Sequence, residues 1–218
     1  MAESTRSSET AAPDRDGGLE HLLNRVVAMN ADLARRHVRR FGGDRTGEEL
    51  LRRLDRQYRA AVTASGGFVG ATAAVPGVGT AVSAALAAGQ TLGTLQATML
   101  YVLSYAEATG VSVDDVDRRR VLLMAVLLGE TGQQVVEKIL GNSDQDWVSL
   151  IGGRASKDLV SRINRELRRR FLGRFGVRQG ITSLARMLPF GAGAALGGIA
   201  GAASSAAVIR STRRAFGV

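Results

Sequence analysis

Between Ala60 and Ala106 the chain runs 47 consecutive residues without Asp, Glu, Lys or Arg. Helices of this kind are poorly stable alone in water and need close neighbours or acyl chains. A second uncharged stretch, Met187 to Ile209, covers 23 residues and contains Pro189 near its start. Both are rich in Ala and Gly rather than bulky side chains: aromatics are 5% of the 218 residues and Gly numbers 27. Prolines number 3, and no strand alternation exceeds a few residues. The expectation is an all-α helical bundle with two Gly/Ala-rich uncharged segments, either of which could fold as a hairpin.

Residues 1–18 are polar and mixed in charge, with no apolar run of the secretory kind, and are expected to be a disordered tail. Residues 19–218 are expected to form one helical domain. Leu19 to Phe41 has helical spacing and ends at Gly42-Gly43. A second helix is predicted from near Thr46, with Leu50, Leu51, Leu54, Tyr58 and Val62 on its apolar side. Pro76-Gly77 divides the long uncharged stretch, since Pro breaks a helix interior. The next arm runs from about Thr80 to Ala108, with Gly110 as its stop. Ser112-Val113-Asp114-Asp115 reads as a capping box before a helix that Gly129 and Gly132 interrupt. A further helix is predicted over about Ala155 to Leu172.

The uncharged stretches carry small residues every four positions. The first row is Gly77, Ala81, Ala85, Gly89, Gly93 and Ala97; the second is Gly193, Gly197, Gly201 and Ser205. Residues four apart share a helix face, and a face without side chains admits another backbone. Each helical Gly costs about 1 kcal/mol relative to Ala, so close packing or lipid must offset the stripe. The two rows are expected to pack on each other. Three placements remain open: spanning helices, a hairpin or shallow insertion with its tip at Pro76-Gly77-Val78-Gly79, and buried helices of a soluble bundle. Arg clusters before, between and after the stretches oppose simple spans, because basic loops favour one side of a membrane.

The run Gln96 to Leu128 resembles the EcsC family of bacterial helical proteins. It holds Tyr105-Ala106-x-x-x-Gly110, then Ser112-Val113-Asp114-Asp115, Arg118-Arg119-Arg120 and Val121 to Gly129. Leu188-Pro189-Phe190-Gly191-Ala192-Gly193 is similar to that family's turn before its last helix. The likeness covers roughly residues 50–215. It implies a membrane-related accessory role and partners among membrane transport proteins, and supplies no reaction.

The chemistry-bearing residues are few. Cys is absent, which excludes disulfides and thiolate sites. His21 and His37 lie 16 positions apart, roughly 24 Å along one helix, too far for one ion. Asp114, Asp115 and Asp117 fit capping and dipole roles. Gly191 to Gly197 misses the dinucleotide fingerprint by one residue and follows Pro rather than a strand. No GxSxG elbow occurs. No catalytic, cofactor or metal site is therefore assigned, and the chain is expected not to be an enzyme.

The formal charge is +9, with 29 Lys and Arg against 20 Asp and Glu. Arg35, Arg36, Arg39 and Arg40 form one cluster, and Arg168, Arg169 and Arg170 another. Both are expected to meet anionic membrane lipid from the cytoplasmic side, with the protein peripheral or shallowly inserted. A soluble cytoplasmic self-association or interaction module is the alternative. Nucleic-acid binding is a third reading, without aromatic stacking residues or a recognised motif to favour it.

Overall fold

The computed structural model describes residues 21, 23–28, 31–72, 80–141, 147–178 and 192–218. Side-chain surroundings are described for these residues except 31, 66–72, 80–88, 91, 175–178 and 192–198. Among the described residues the protein is all-α and contains no strand. A short helical segment over residues 23–27 precedes eight helices. They are α1 (Ala31–Gly42), α2 (Gly47–Thr72), α3 (Thr80–Ala108), α4 (Val116–Leu128), α5 (Glu130–Leu140), α6 (Trp147–Ile151), α7 (Lys157–Arg178) and α8 (Ala192–Ala215). The expected tail, residues 1–18, and the expected hairpin tip, 76–79, lie outside the described residues.

Local signals account for most helix ends. Asp32 opens α1 and Arg39 and Arg40 close it, each complementing the helix dipole. Glu48 and Glu49 occupy the first turn of α2. The chain leaves α3 through Gly110, at φ +74°, and the Val111 N–H returns to the Ala106 carbonyl at 2.8 Å. That is a Schellman-type stop, which glycine admits without a Cβ penalty. The capping box shifts by three residues. Asp115, not Ser112, caps α4: its Oδ1 accepts from the Arg118 N–H at 2.9 Å, while the Ser112 hydroxyl pairs with Asp114. The expected helix Leu19–Phe41 is also not continuous, because the chain turns at Ala28.

α4 is the central element. Val121 to Val126 are six consecutive buried residues, so this helix is covered all round. α3, α5, α6, α7 and α8 pack about it. Gly129, at φ +66°, turns the chain from α4 into α5. Gly132 then lets the two helices meet. A Cβ there would lie 2.7 Å from the Ala125 Cα, an overlap only glycine avoids.

α2 organises the rest. Its most extensive pairing is with α8, and the next is with α3. Leu50, Leu51, Leu54, Tyr58 and Val62 are all buried, as their spacing predicts. α3 runs antiparallel to α2: Tyr58 meets Thr98 at 2.8 Å, and the Gln90 amide reaches the Ser65 carbonyl at 3.5 Å. α8 is antiparallel to α2 as well. Gly201 lies against Val62 and Thr63, and Arg213 lies against Asp55 and Glu48.

Candidate functional site

Among the described residues, these registers bring uncharged parts of α2, α3 and α8 together at one end. Residues 60–72 of α2 run outward, and the start of α3 and the start of α8 lie alongside them. The α2 portion alone is roughly 20 Å long at about 1.5 Å per residue. None of its residues carries a charge, nor do those of α3 before Glu107 or of α8 before Arg210. On its outer surface are Ala60, Ala61, Ala64, Gly89, Gly93, Ala200 and Ala203. Ile199, 66% exposed, is the most exposed of the large apolar side chains described. Arg56 and Arg59 of α2 and Arg210 of α8, all exposed, mark where charge begins. No helix among the described residues is long and apolar enough to cross a membrane.

Among the described residues, the small-residue rows do not pair with each other. Gly201 is close-packed, but on α2: a Cβ there would sit 2.9 Å from the Val62 carbonyl oxygen. α8 touches α3 only marginally. Gly89 and Gly93 have open space, with nothing among the described residues within 4 Å of an added Cβ. The reason is coverage. α1 packs on α3, but the hollow where they meet is lined by His37, Ala97 and Leu100, beyond Gly93 along the helix. Gly77 lies outside the described residues. Ala81, Ala85, Gly193 and Gly197 lie in helices with their surroundings outside them.

Below the charge-free end, α2, α3 and α8 are locked by polar groups. The Tyr101 hydroxyl donates to Asp55 Oδ1 at 2.6 Å, and Arg213 Nε donates to Asp55 Oδ2 at 2.9 Å. Arg213 also reaches Glu48 at 3.0 Å. Burial alone would lower the Arg213 pKa; its bonds to Asp55 and Glu48 outweigh that and raise it. Burial, then the bond to Asp55, holds the Tyr101 phenol far above its ordinary range. Burial pushes Tyr105 up to about 12. Tyr58 stacks on Tyr101 at 4.5 Å, and Tyr105 stands edge-on to Tyr101 at 5.8 Å. These are all three tyrosines of the chain. The three phenols, packed beside the Asp55–Arg213 pair, form an enclosed brace.

Sequence reasoning missed this brace, although a signal was present. Asp55 is an acid on the apolar stripe, four residues after Leu51 and three before Tyr58. It also missed Arg118 and Arg119, which are buried. Arg118 donates to the Leu150 carbonyl and, at 2.6 Å, to that of Ala155; Arg119 Nε donates to the Val113 carbonyl at 2.8 Å. Their charge fastens loops inside the fold.

The expected lipid-facing arginines are all exposed. Arg35 is paired with Asp32, and Arg40 lies over the Phe41 ring at 5.8 Å. Arg169 and Arg170 bracket Glu166 at 3.1 and 2.8 Å, and Arg170 foremost holds that carboxyl below its usual range. Arg168 lines a small hollow with Asn24 and Arg120. α1 packs on α3, and α7 packs on α4 and α5, so the two clusters ride on different helix layers. His37 is half-buried, lies tilted against Phe41 with ring centroids 4.8 Å apart, and has its pKa lowered by burial. Among the described residues no group of three or more His, Asp or Glu could hold a metal ion. Comparison with family models, curated proteins and solved structures finds no match.

Proposed function

We propose that this is a non-catalytic, membrane-associated accessory protein that meets an anionic bilayer by its charge-free end. The observation that carries the reading is the convergence of segments far apart in sequence. The uncharged parts of α2, α3 and α8 share one end, while charge begins at Arg56, Arg59 and Arg210. Shallow insertion suits an end too weakly apolar to span, with arginines near the headgroups contributing about 1 kcal/mol each. The arginines of α1 and α7 supply further attraction. Basic charge on both sides of each uncharged stretch favours the cytoplasmic face. The EcsC-like likeness belongs to the same proposal and brings membrane transport proteins as partners. The residues that carry it are the end of α3 and α4, the centre of the core.

Vesicle flotation tests this. The full chain should float with vesicles containing anionic lipid. Ile199→Glu/Ala203→Glu places charge at two exposed positions of the end, and should abolish flotation with the helical circular dichroism unchanged. A native chain that stays at the bottom of the gradient, or a double variant that floats equally well, overturns the reading.

A second reading has its own observation. Gly89 and Gly93 leave a shallow strip on α3 that a second copy could cover. Sedimentation would then give a dimer that Gly93→Leu disperses.

A further inference from the structure

We propose that the groove between α5 and α7 is a discrete binding site for an anion carrying at least two phosphate groups. Its volume is about 540 Å³, against about 100 Å³ for the hollow beneath His37. Val135, buried, and Ile139, half-buried, line it alongside the charged groups. Its remaining lining is Lys138 from α5 and Arg162, Arg165, Glu166, Arg169 and Arg170 from α7. Five cations therefore face one carboxylate, and that carboxylate is already bracketed by Arg169 and Arg170. Lys138, Arg162 and Arg165 have no carboxylate partner among the described residues.

Cations gathered over an apolar floor repel one another more strongly than the same charges spread over a convex surface. An anion in the groove relieves that repulsion. Guanidinium groups favour phosphate because their planar donors match its oxygens in pairs. Spacing selects the size. Arg162, Arg165 and Arg169 follow i, i+3, i+7, one face of α7, over roughly 10 Å of helix. One phosphate meets one end of this row; two linked phosphates engage both ends, with Lys138 closing from the opposite wall. Such an anion could be a free diphosphate or a diphosphate lipid headgroup. The site does not depend on the charge-free end reaching a bilayer.

Calorimetric titration of the full chain with inorganic pyrophosphate, near physiological salt, is the test. Saturable one-site binding is expected, with orthophosphate weaker by about tenfold or more. Arg162→Gln/Arg165→Gln/Arg169→Gln should weaken pyrophosphate by about tenfold or more, while Arg45→Gln/Arg52→Gln/Arg154→Gln, an equal loss of charge elsewhere, should change it by less than about twofold. Vesicles identify the source. A preference for cardiolipin over phosphatidylglycerol at equal charge, lost in the groove variant, assigns a headgroup; pyrophosphate binding without that preference assigns a soluble ligand. Ile199→Glu/Ala203→Glu should leave pyrophosphate binding intact, which separates this site from the proposed bilayer contact. Equal losses in the groove and control variants would overturn the proposal. So would binding to neither pyrophosphate nor cardiolipin, with or without binding to duplex DNA.

Discussion

Asp55 is the residue on which three helices meet, since it accepts from Tyr101 on α3 and Arg213 on α8 while belonging to α2. Removing Arg213 leaves a largely buried carboxylate without its cation, so Arg213→Met should lower stability by about 3 kcal/mol. Urea unfolding against the native chain measures this. The tyrosines give a second handle. Burial raises Tyr58, Tyr101 and Tyr105, the last to about 12, so each folded value lies above the unfolded value near 10. The sign follows: the contribution is fully present below about pH 10 and is lost as pH rises toward the folded values. The melting temperature should fall steeply from about pH 10 to 12. Phenolate absorbance should appear together with unfolding; three phenolates titrating near 10 in a folded chain would refute the enclosed brace.

Elements differ in how glycine serves them. In α5, Gly132 sits against the α4 backbone, and Gly132→Ala must push the helices apart at a cost of about 3 kcal/mol. In α3, Gly89 has open space, and Gly89→Ala should stabilise by up to about 1 kcal/mol through helix propensity. Thermal unfolding of the two variants should therefore move in opposite directions. Periodicity could not separate these positions. Gly89 belonged to a regular row, whereas Gly132 read only as an interruption. Which glycine is crowded depends on where another backbone crosses, and α1 meets α3 beyond Gly93. By contrast, the stripe from Leu50 to Val62 and the stop at Gly110 were legible, because each rests on local spacing or local dihedral freedom. Asp115 took the cap because its own side chain reaches the Arg118 N–H, so Ser112 was three residues too early.

For the whole molecule, the distribution of charge matters more than its total of +9. Among the described residues, antiparallel pairing of α2 with both α3 and α8 gathers charge-free lengths of the three helices at one end, with the Arg-rich faces of α1 and α7 elsewhere. Ile199→Glu/Ala203→Glu in vesicle flotation and Arg162→Gln/Arg165→Gln/Arg169→Gln in calorimetry act on these two regions separately. One region can therefore lose its partner while the other keeps it.

The amino-acid order by itself determined the helical class, most helix ends and the two uncharged stretches, because hydrophobic period, caps and breakers act within a few residues of the chain. Tertiary structure alone decided that, among the described residues, the small-residue row of α8 meets the uncharged part of α2 rather than the row on α3. It also decided that Asp55, Tyr101 and Arg213 converge, and that Lys138 faces Arg162 and Arg165 across a groove. Those juxtapositions join residues tens to more than a hundred positions apart, and only the crossing and register of packed helices place them.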